Sequence, residues 1–467
     1  MEEVKVEIIS RENIKPSSPT PSHLKIFKHS YLDQLVPFPH AIIILFYTSQ
    51  NLSEFPKRLE LLKQSLSETL TQFYPLAGKI KDNLSIDCND EGANFVVAKV
   101  NCPISKFLEK PDLNTLNKFL RTTPYFEETM IGDHVTNIQV NVFDCGGIAI
   151  GFCISHKIID GDSLDTFLKV WTERTGCNHN SELLTKPNFA TSSLFPPSTL
   201  HFRDLSRKIL GSIFRKGKWV TRRFLFKDSA IATLKTQIVA KSSSDPLKNH
   251  PNTPTRVQII SALFWKYFMA ASKDQFGTQR PSILLNTMNL RRRMAESLHP
   301  KNSIGNFLWL TISEHKSEHE LNLNELVSKV KKSMEEIDKD FVASLQSEEE
   351  WSSIIENALR KLSGETWANN NKGDEALEGL SINSWCNFGL YDADFGWGKP
   401  MWVSSVGIQG NSVLADKVIL VDTKFKDGIE AWVTLDEDKM KYLVSSTELL
   451  AYATLDPSPL AVSNSKL

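Results

Sequence analysis

The sequence predicts an α/β protein of two domains, and three observations carry that expectation. A chain of 467 residues is longer than one hydrophobic core usually grows, so it is expected to divide. Short apolar runs of strand length alternate with helix-period stripes through both halves, the pattern of sheets covered by helices. Between the halves, Thr185 to Phe202 is rich in proline, serine and threonine and has no periodicity, as a crossover would. The expected division is a first domain over 1–190, a linker over 191–215 and a second domain over 216–467.

Taken in order, Val4, Val6 and Ile8 alternate through an acidic N-terminus, which reads as a first strand and not as a signal peptide. A proline-rich bend from Pro16 to Pro21 leads to Ser30-Tyr31-Leu32-Asp33-Gln34 and the strand Ala41 to Tyr47. That strand is the longest apolar run and far too short to span a bilayer. A helix starting near Pro56 carries Leu59, Leu62, Leu66 and Leu70 on one face, and Pro75 and Gly78 stop it. Strands follow over Phe95 to Val100 and Val135 to Phe143.

The second half opens with a strand at Val220 to Phe226 and a helix from Asp228. Thr255 caps a strongly apolar helix through Trp265 and Phe268. Ile283 to Leu285 and Phe307 to Ile312 read as strands, and Leu321 to Ile337 as a helix. Val342 to Gly379 is more polar and is expected at the periphery, before strands at Val418 to Asp422 and Gly428 to Val433. There is no short-period repeat of the solenoid kind.

One stretch, Gly146 to Trp171, concentrates the chemistry. Ile148 to Ser155 reads as a buried strand; Leu164, Phe167, Leu168 and Trp171 form the stripe of a helix capped by Asp162 or Ser163. His156 and Asp160 lie between them, where a histidine released from a buried strand is held firmly yet can face a cleft as a general base. By itself this HxxxD spacing also fits a core histidine beside a helix-start aspartate. No third donor accompanies the pair, so no metal site is expected. The next four residues, Gly161-Asp162-Ser163-Leu164, match an esterase signature. No histidine follows His319, so a Ser/His/Asp triad has little support and Ser163 is expected to cap the helix.

Composition narrows the field. Hydrophobic residues at 41% and charged residues at 23% are those of an ordinary globular protein. A net charge of −1 makes no electrostatic case for nucleic acid or an anionic membrane. The six cysteines include no CxxC pair, which argues for reduced thiols inside a cell; Cys153 is expected to be a small core residue. The final tripeptide Ser465-Lys466-Leu467 is the address read by the peroxisomal import receptor, so the peroxisome is the expected location and the cytoplasm the alternative.

Two further motifs remain. Asp394-Phe395-Gly396-Trp397-Gly398 suggests a rigid loop. Asn289-Leu290-Arg291-Arg292-Arg293 offers arginines to buried carboxylates, phosphates or solvent. HxxxD in the first half joined to DFGWG near the C-terminus resembles the signature pair of the BAHD acyltransferases of plants. Leu66 to Ile80, with its FYPLAG block, is similar to a further family segment, although Lys79 stands where arginine is usual. Arg291 to Arg293 with Pro300 and Gly305-Asn306, Ile382 to Pro400, and Asp427 to Leu435 also fit. Within the family the chain looks most like acetyltransferases of monoterpene indole alkaloid pathways.

The resemblance implies two similar-sized domains like chloramphenicol acetyltransferase, joined by about 385–405 returning to the first domain, with a channel at their interface. It implies a monomer that transfers acetyl from acetyl-CoA, a co-substrate and not a resident cofactor, to a hydroxyl of a small-molecule alcohol. His156 would be the base of a ternary-complex mechanism, and Asp160 would support the loop by pairing with Arg291. Asn383 and Trp385, in Asn383-Ser384-Trp385, would help stabilise the oxyanion, with asparagine in place of the family's threonine. Asp394, Gly396 and Gly398 would be structural. Thr255 and Arg256, at a helix N-terminus, are the candidates for a CoA phosphate. A malonyl donor is the alternative, for which Lys424 is the candidate cation, while Phe425 beside it suits a small acyl group. A non-catalytic small-molecule binding protein on the same fold is the alternative of another class.

Overall fold

A computed structural model of the chain describes residues 3–36, 40–48, 51–121, 130–176, 185–198, 215–242, 253–294, 302–316, 322–347, 349–362 and 377–464. Two mixed sheets carry it. The first orders its strands Val6–Ile14, Ala93–Val100, Thr136–Phe143, Ile148–Ser155, His40–Tyr47 and Trp402–Ser404. Ile148–Ser155 is buried throughout and His40–Tyr47 from Ile42 onward, which is why these two read as continuous apolar runs; Thr136–Phe143 instead alternates Ile138, Val140 and Val142 with the buried polar Asn137, Gln139 and Asn141. Helices Phe55–Gln72 and Gly161–Thr175 pack together on this half. The Trp171 indole N–H donates to Ser65 Oγ at 3.0 Å between them.

The second sheet orders its strands Leu308–His315, Ser282–Asn289, Glu378–Ser384, Asp416–Asp422, Gly428–Asp436, Arg215–Lys227 and Gln409–Leu414, with Thr454–Leu455 added on Arg215–Lys227. One face is covered by helix Arg256–Phe276, which buries Ile259, Leu263, Trp265 and Phe268. Helix Leu323–Glu335 packs beside it. Thr255 caps the long helix reciprocally with Gln258, and Gly277 ends it in the left-handed conformation at φ +75°.

Several expectations change. The strand expected at Val220 to Phe226 runs from Arg215 to Lys227, and the strands Ile26–Lys28, Lys79–Ile80 and Ser85–Asp87 form a small sheet that the sequence reading missed. Trp402–Ser404 pairs with Phe46 to Ile44 in the first sheet, in line with the expected return of about 385–405, while the Trp385 N–H still donates to Leu420 in the second. The last helix, Pro459–Asn464, sits against Ile104–Glu109 of the first half, where Ser458 Oγ donates to the Leu108 carbonyl at 3.1 Å. Beyond the expected 385–405, the last helix of the span 216–467 thus also packs on the first half. Val342 to Gly379 is not peripheral where it is described: Leu345, Ile355 and Leu359 are buried in a third apolar cluster. Counting charges hid the stripe Trp351, Ile354, Ile355, Ala358, Leu359 of an amphipathic helix. Pro300, Cys177, most of the expected linker and Ser465-Lys466-Leu467 lie outside the described residues.

Candidate active site

The other face of the second sheet floors a cavity of about 300 Å³. Strand alternation selects its floor: Leu285, Thr287 and Asn289 on one strand, and Ser381 and Asn383 on the next, point into it. Lys417 and Ile419 continue the floor, while Val418 and Leu420 between and beyond them join the core under the helices. His156, Gly161 and Leu164 from the first half meet this floor, and Ile355 and Leu359 close another wall.

His156 is half-buried at the end of Ile148–Ser155, and Asn306 settles which of its nitrogens carries the proton. The Asn306 amide nitrogen donates to the His156 carbonyl at 2.7 Å and to Asp33 Oδ1 at 2.9 Å. Its oxygen therefore faces His156 Nδ1, 3.1 Å away. An amide oxygen only accepts, so Nδ1 is the N–H and Nε2 holds the lone pair. Asp33 anchors the arrangement, also accepting from the Asn306 N–H at 2.7 Å and the Ser30 N–H and hydroxyl at 2.9 and 2.6 Å. Burial pushes the Asp33 carboxyl up to about 6 against these donors, so at neutral pH it is the carboxylate able to accept them all.

Burial also holds the His156 imidazole below its ordinary value of 6.5, outweighing the Asp160 charge and the Asn306 contact. The neutral ring is then the resting form at pH 7. The expected consequence is a flat kcat/KM through neutrality that declines only at a pH below 6.5, with Asp33 protonation near pH 6 adding to the decline. A pH–rate profile checks this; a decline beginning above pH 7 would contradict the assignment.

Asp160 does a different job. Its Oδ2 and Oδ1 accept from Arg291 at 2.6 and 3.1 Å, a bidentate pair. The same carboxylate accepts from the Phe307 N–H at 3.1 Å and the Ser163 N–H at 2.9 Å. Burial raises the Asp160 carboxyl, but the Arg291 charge and these donors outweigh it, leaving it lowered overall. Arg291 also donates to the carbonyls of Ser303 and Gly305, at 3.0 and 3.1 Å, and lies over the Phe307 ring. The ion pair thus ties the turn after His156 to the segment that carries Asn306. Asp160, not Asp162 or Ser163, caps Gly161–Thr175. The Ser163 hydroxyl donates to Asp160 at 2.8 Å and accepts from the Gly305 N–H at 3.1 Å; an extended aspartate just ahead of the helix reaches the third N–H, which a residue already inside the first turn cannot.

Asn383 and Trp385 both line the cavity. Thr287 Oγ1 donates to Asn383 Oδ1, which turns the amide nitrogen of Asn383 outward as a donor. Asp394, Gly396 and Gly398 do not line it. Asp394 Oδ1 accepts from the Gly396 and Gly398 N–H groups at 2.8 and 2.9 Å. Both glycines have positive φ, +97° and +102°, where a side chain is strained. Phe395 is fully buried edge-on to Trp171. Thr255 and Arg256 are also absent from the cavity wall, and Arg256 is paired with Asp228 and Asp422, each at 3.0 Å. Lys424 and Phe425 lie outside the wall as well.

The match to known proteins agrees with this geometry. The model of the Transferase family matches residues 4–450. The chain is 44% identical to a limonoid 7-O-acetyltransferase of Citrus sinensis, over 97% of this chain and 99% of that one. It is 36% identical to stemmadenine O-acetyltransferase of Catharanthus roseus, over 94% and 96% of the two chains. The crystal structure of vinorine synthase superposes with a TM-score of 0.74 at 32% identity, covering 96% of this chain and 98% of that one. The chain belongs to the BAHD acyltransferase family. The acyltransferase has the two-domain mixed α/β fold of vinorine synthase, and its relatives are plant O-acetyltransferases of specialised metabolites.

Sequence reasoning missed Asp33, Thr287 and Lys417 and gave Asn306 no role. Ser30-x-x-Asp33 had a readable signal, a serine followed three residues later by a carboxylate, the pattern of a capping box. Asn306 and Lys417 had none, because their neighbours are distant in sequence.

Proposed function

We propose that this acyltransferase moves an acetyl group from acetyl-CoA to a hydroxyl of a polycyclic specialised metabolite, within a ternary complex. The observation that supports it most directly is the lone pair of His156 Nε2, oriented by the Asn306 contact to Nδ1. In this reading Nε2 removes the acceptor hydroxyl proton as that oxygen attacks the thioester carbonyl. The carbon–sulfur bond of the tetrahedral intermediate then breaks, CoA leaves as thiolate, and the imidazolium returns the proton to sulfur. The Asn383 amide is a preoriented neutral donor for the transient oxyanion, and Trp385 walls the site beside it. Polarity matches the substrate class: a mainly aliphatic cavity with a few hydroxyl and amide groups holds a largely apolar body and orients its oxygens.

CoA release with acetyl-CoA and malonyl-CoA, measured against a panel of terpenoid and alkaloid alcohols, tests the reading. Turnover is expected with acetyl-CoA. Acceptor binding without CoA release from either donor would leave a silent binding protein and overturn the proposal. Preference for malonyl-CoA would overturn the donor assignment, for which Lys424 and Phe425, away from the cavity, offer no support.

A further inference from the structure

The cavity floor carries a hydroxyl that the acyl-transfer chemistry does not use. The inward-pointing residues of its strands form two rows across the sheet. Leu310, Thr287, Asn383 and Ile419 make the row of the oxyanion donor. Ile312, Leu285, Ser381 and Lys417 make the next. Ser381 and Asn383 stand two positions apart on Glu378–Ser384 and share a face, so they enter the cavity about 7 Å from one another along the strand.

Two other polar side chains of the floor are engaged with the protein: Thr287 donates to Asn383, and Asn289 to Asp162. Ser381 is half-buried, and among the described residues its hydroxyl has no hydrogen-bond partner. Leu285 beside it and Ile312 beyond are apolar. An acceptor that fills the cavity displaces the water around this hydroxyl, and a purely hydrocarbon face would leave it unpaired, which disfavours binding. An oxygen placed there restores the bond, because a hydroxyl both donates and accepts. We propose that Ser381 is a specificity-determining residue that binds a second oxygen of the acceptor, a ketone, lactone or hydroxyl on its ring system about 7 Å along the strand from Asn383. The enzyme then selects polycyclic alcohols oxygenated at that spacing over their hydrocarbon counterparts. This rests on the acyl-transfer reading for the reacting hydroxyl and names the second group that the acceptor carries.

The test uses a rigid polycyclic alcohol bearing a ring ketone at that spacing and its deoxy analogue, with a methylene in place of the ketone. Calorimetric Kd, and kcat/KM with acetyl-CoA, are measured for the wild type and Ser381→Ala. The wild type should prefer the ketone by about tenfold, the worth of one hydrogen bond made in a desolvated site. Ser381→Ala should abolish that preference by weakening the ketone alone, while the deoxy alcohol binds and turns over as before. Ser381→Thr, which keeps the hydroxyl, should retain the preference, and Ser381→Val, of the same shape without it, should lose it. That second pair serves if the alanine variant does not fold. A wild type that does not distinguish the two alcohols, or a preference that survives removal of the hydroxyl, overturns the inference, and with turnover intact it does so without touching the acyl-transfer reading. A binding preference that disappears with the hydroxyl, but without CoA release from any donor, defeats the acyl-transfer reading and leaves the recognition by Ser381 standing.

Discussion

His156→Ala is expected to fold, to melt no lower than the wild type at pH 7, and to transfer acetyl about 10²- to 10⁴-fold more slowly. The loss is chemical because the ring has little structural work to do. Its Nδ1 makes one 3.1 Å contact to Asn306, whereas Asn306 is held independently by Asp33 and by the His156 backbone carbonyl. The alanine variant keeps that carbonyl. The titration adds a signature. Because burial lowers the folded imidazole below its ordinary value, the unfolded chain binds more protons, and this histidine costs stability as pH falls through 6.5 and below. The variant should therefore gain melting temperature relative to the wild type in mild acid. Steady-state kinetics and thermal melts at two pH values check both; residual activity above a tenth of the wild type would remove His156 as the base.

Asp160→Ala is expected to lose activity by another route, with a drop in stability of about 3–5 kcal/mol. Truncation removes the bidentate partner of Arg291, 6% exposed, and leaves it only the more distant Asp162 carboxylate at 3.7 Å. It also removes the cap of Gly161–Thr175 and leaves the Phe307 N–H without its acceptor. Denaturant unfolding should report a lower midpoint with an unchanged slope. The sign of the pH dependence follows from the lowered Asp160 carboxyl. Its stabilisation is complete above the ordinary carboxylate value and disappears as pH falls through the lower folded value. An inactive Asp160→Ala protein with the wild-type midpoint would mean that the ion pair contributes nothing to the fold and that Asp160 acts on the reaction itself.

These two variants separate residues that stand four positions apart in one motif. The HxxxD spacing announced both His156 and Asp160, and the strand before them and the helical stripe after them were legible from periodicity. Spacing could not say that Asp160 points at Arg291 instead of at the cavity, nor that Asp160 and not Ser163 is the cap. Those depend on where an arginine 131 residues away folds back. Similarly, the polar segment around Trp351 to Leu362 looked peripheral because composition counts charges, whereas its apolar stripe finds the cavity wall only once the sheet is assembled.

The sequence by itself determined the domain count, most of the strands and helices, the candidate base and the loop glycines, because each follows from local periodicity or from one residue's conformational limits. Tertiary structure alone decided the tautomer of His156, the partner of Asp160 and the presence of Lys417 on the cavity floor. Each of these is a pairing across 36 to more than 250 residues of chain: Asp33 with Asn306, Asn306 with His156, and Lys417 with the floor completed by Ser381 and Thr287. A side chain's neighbours at that separation are set by strand order and register, which no local pattern records.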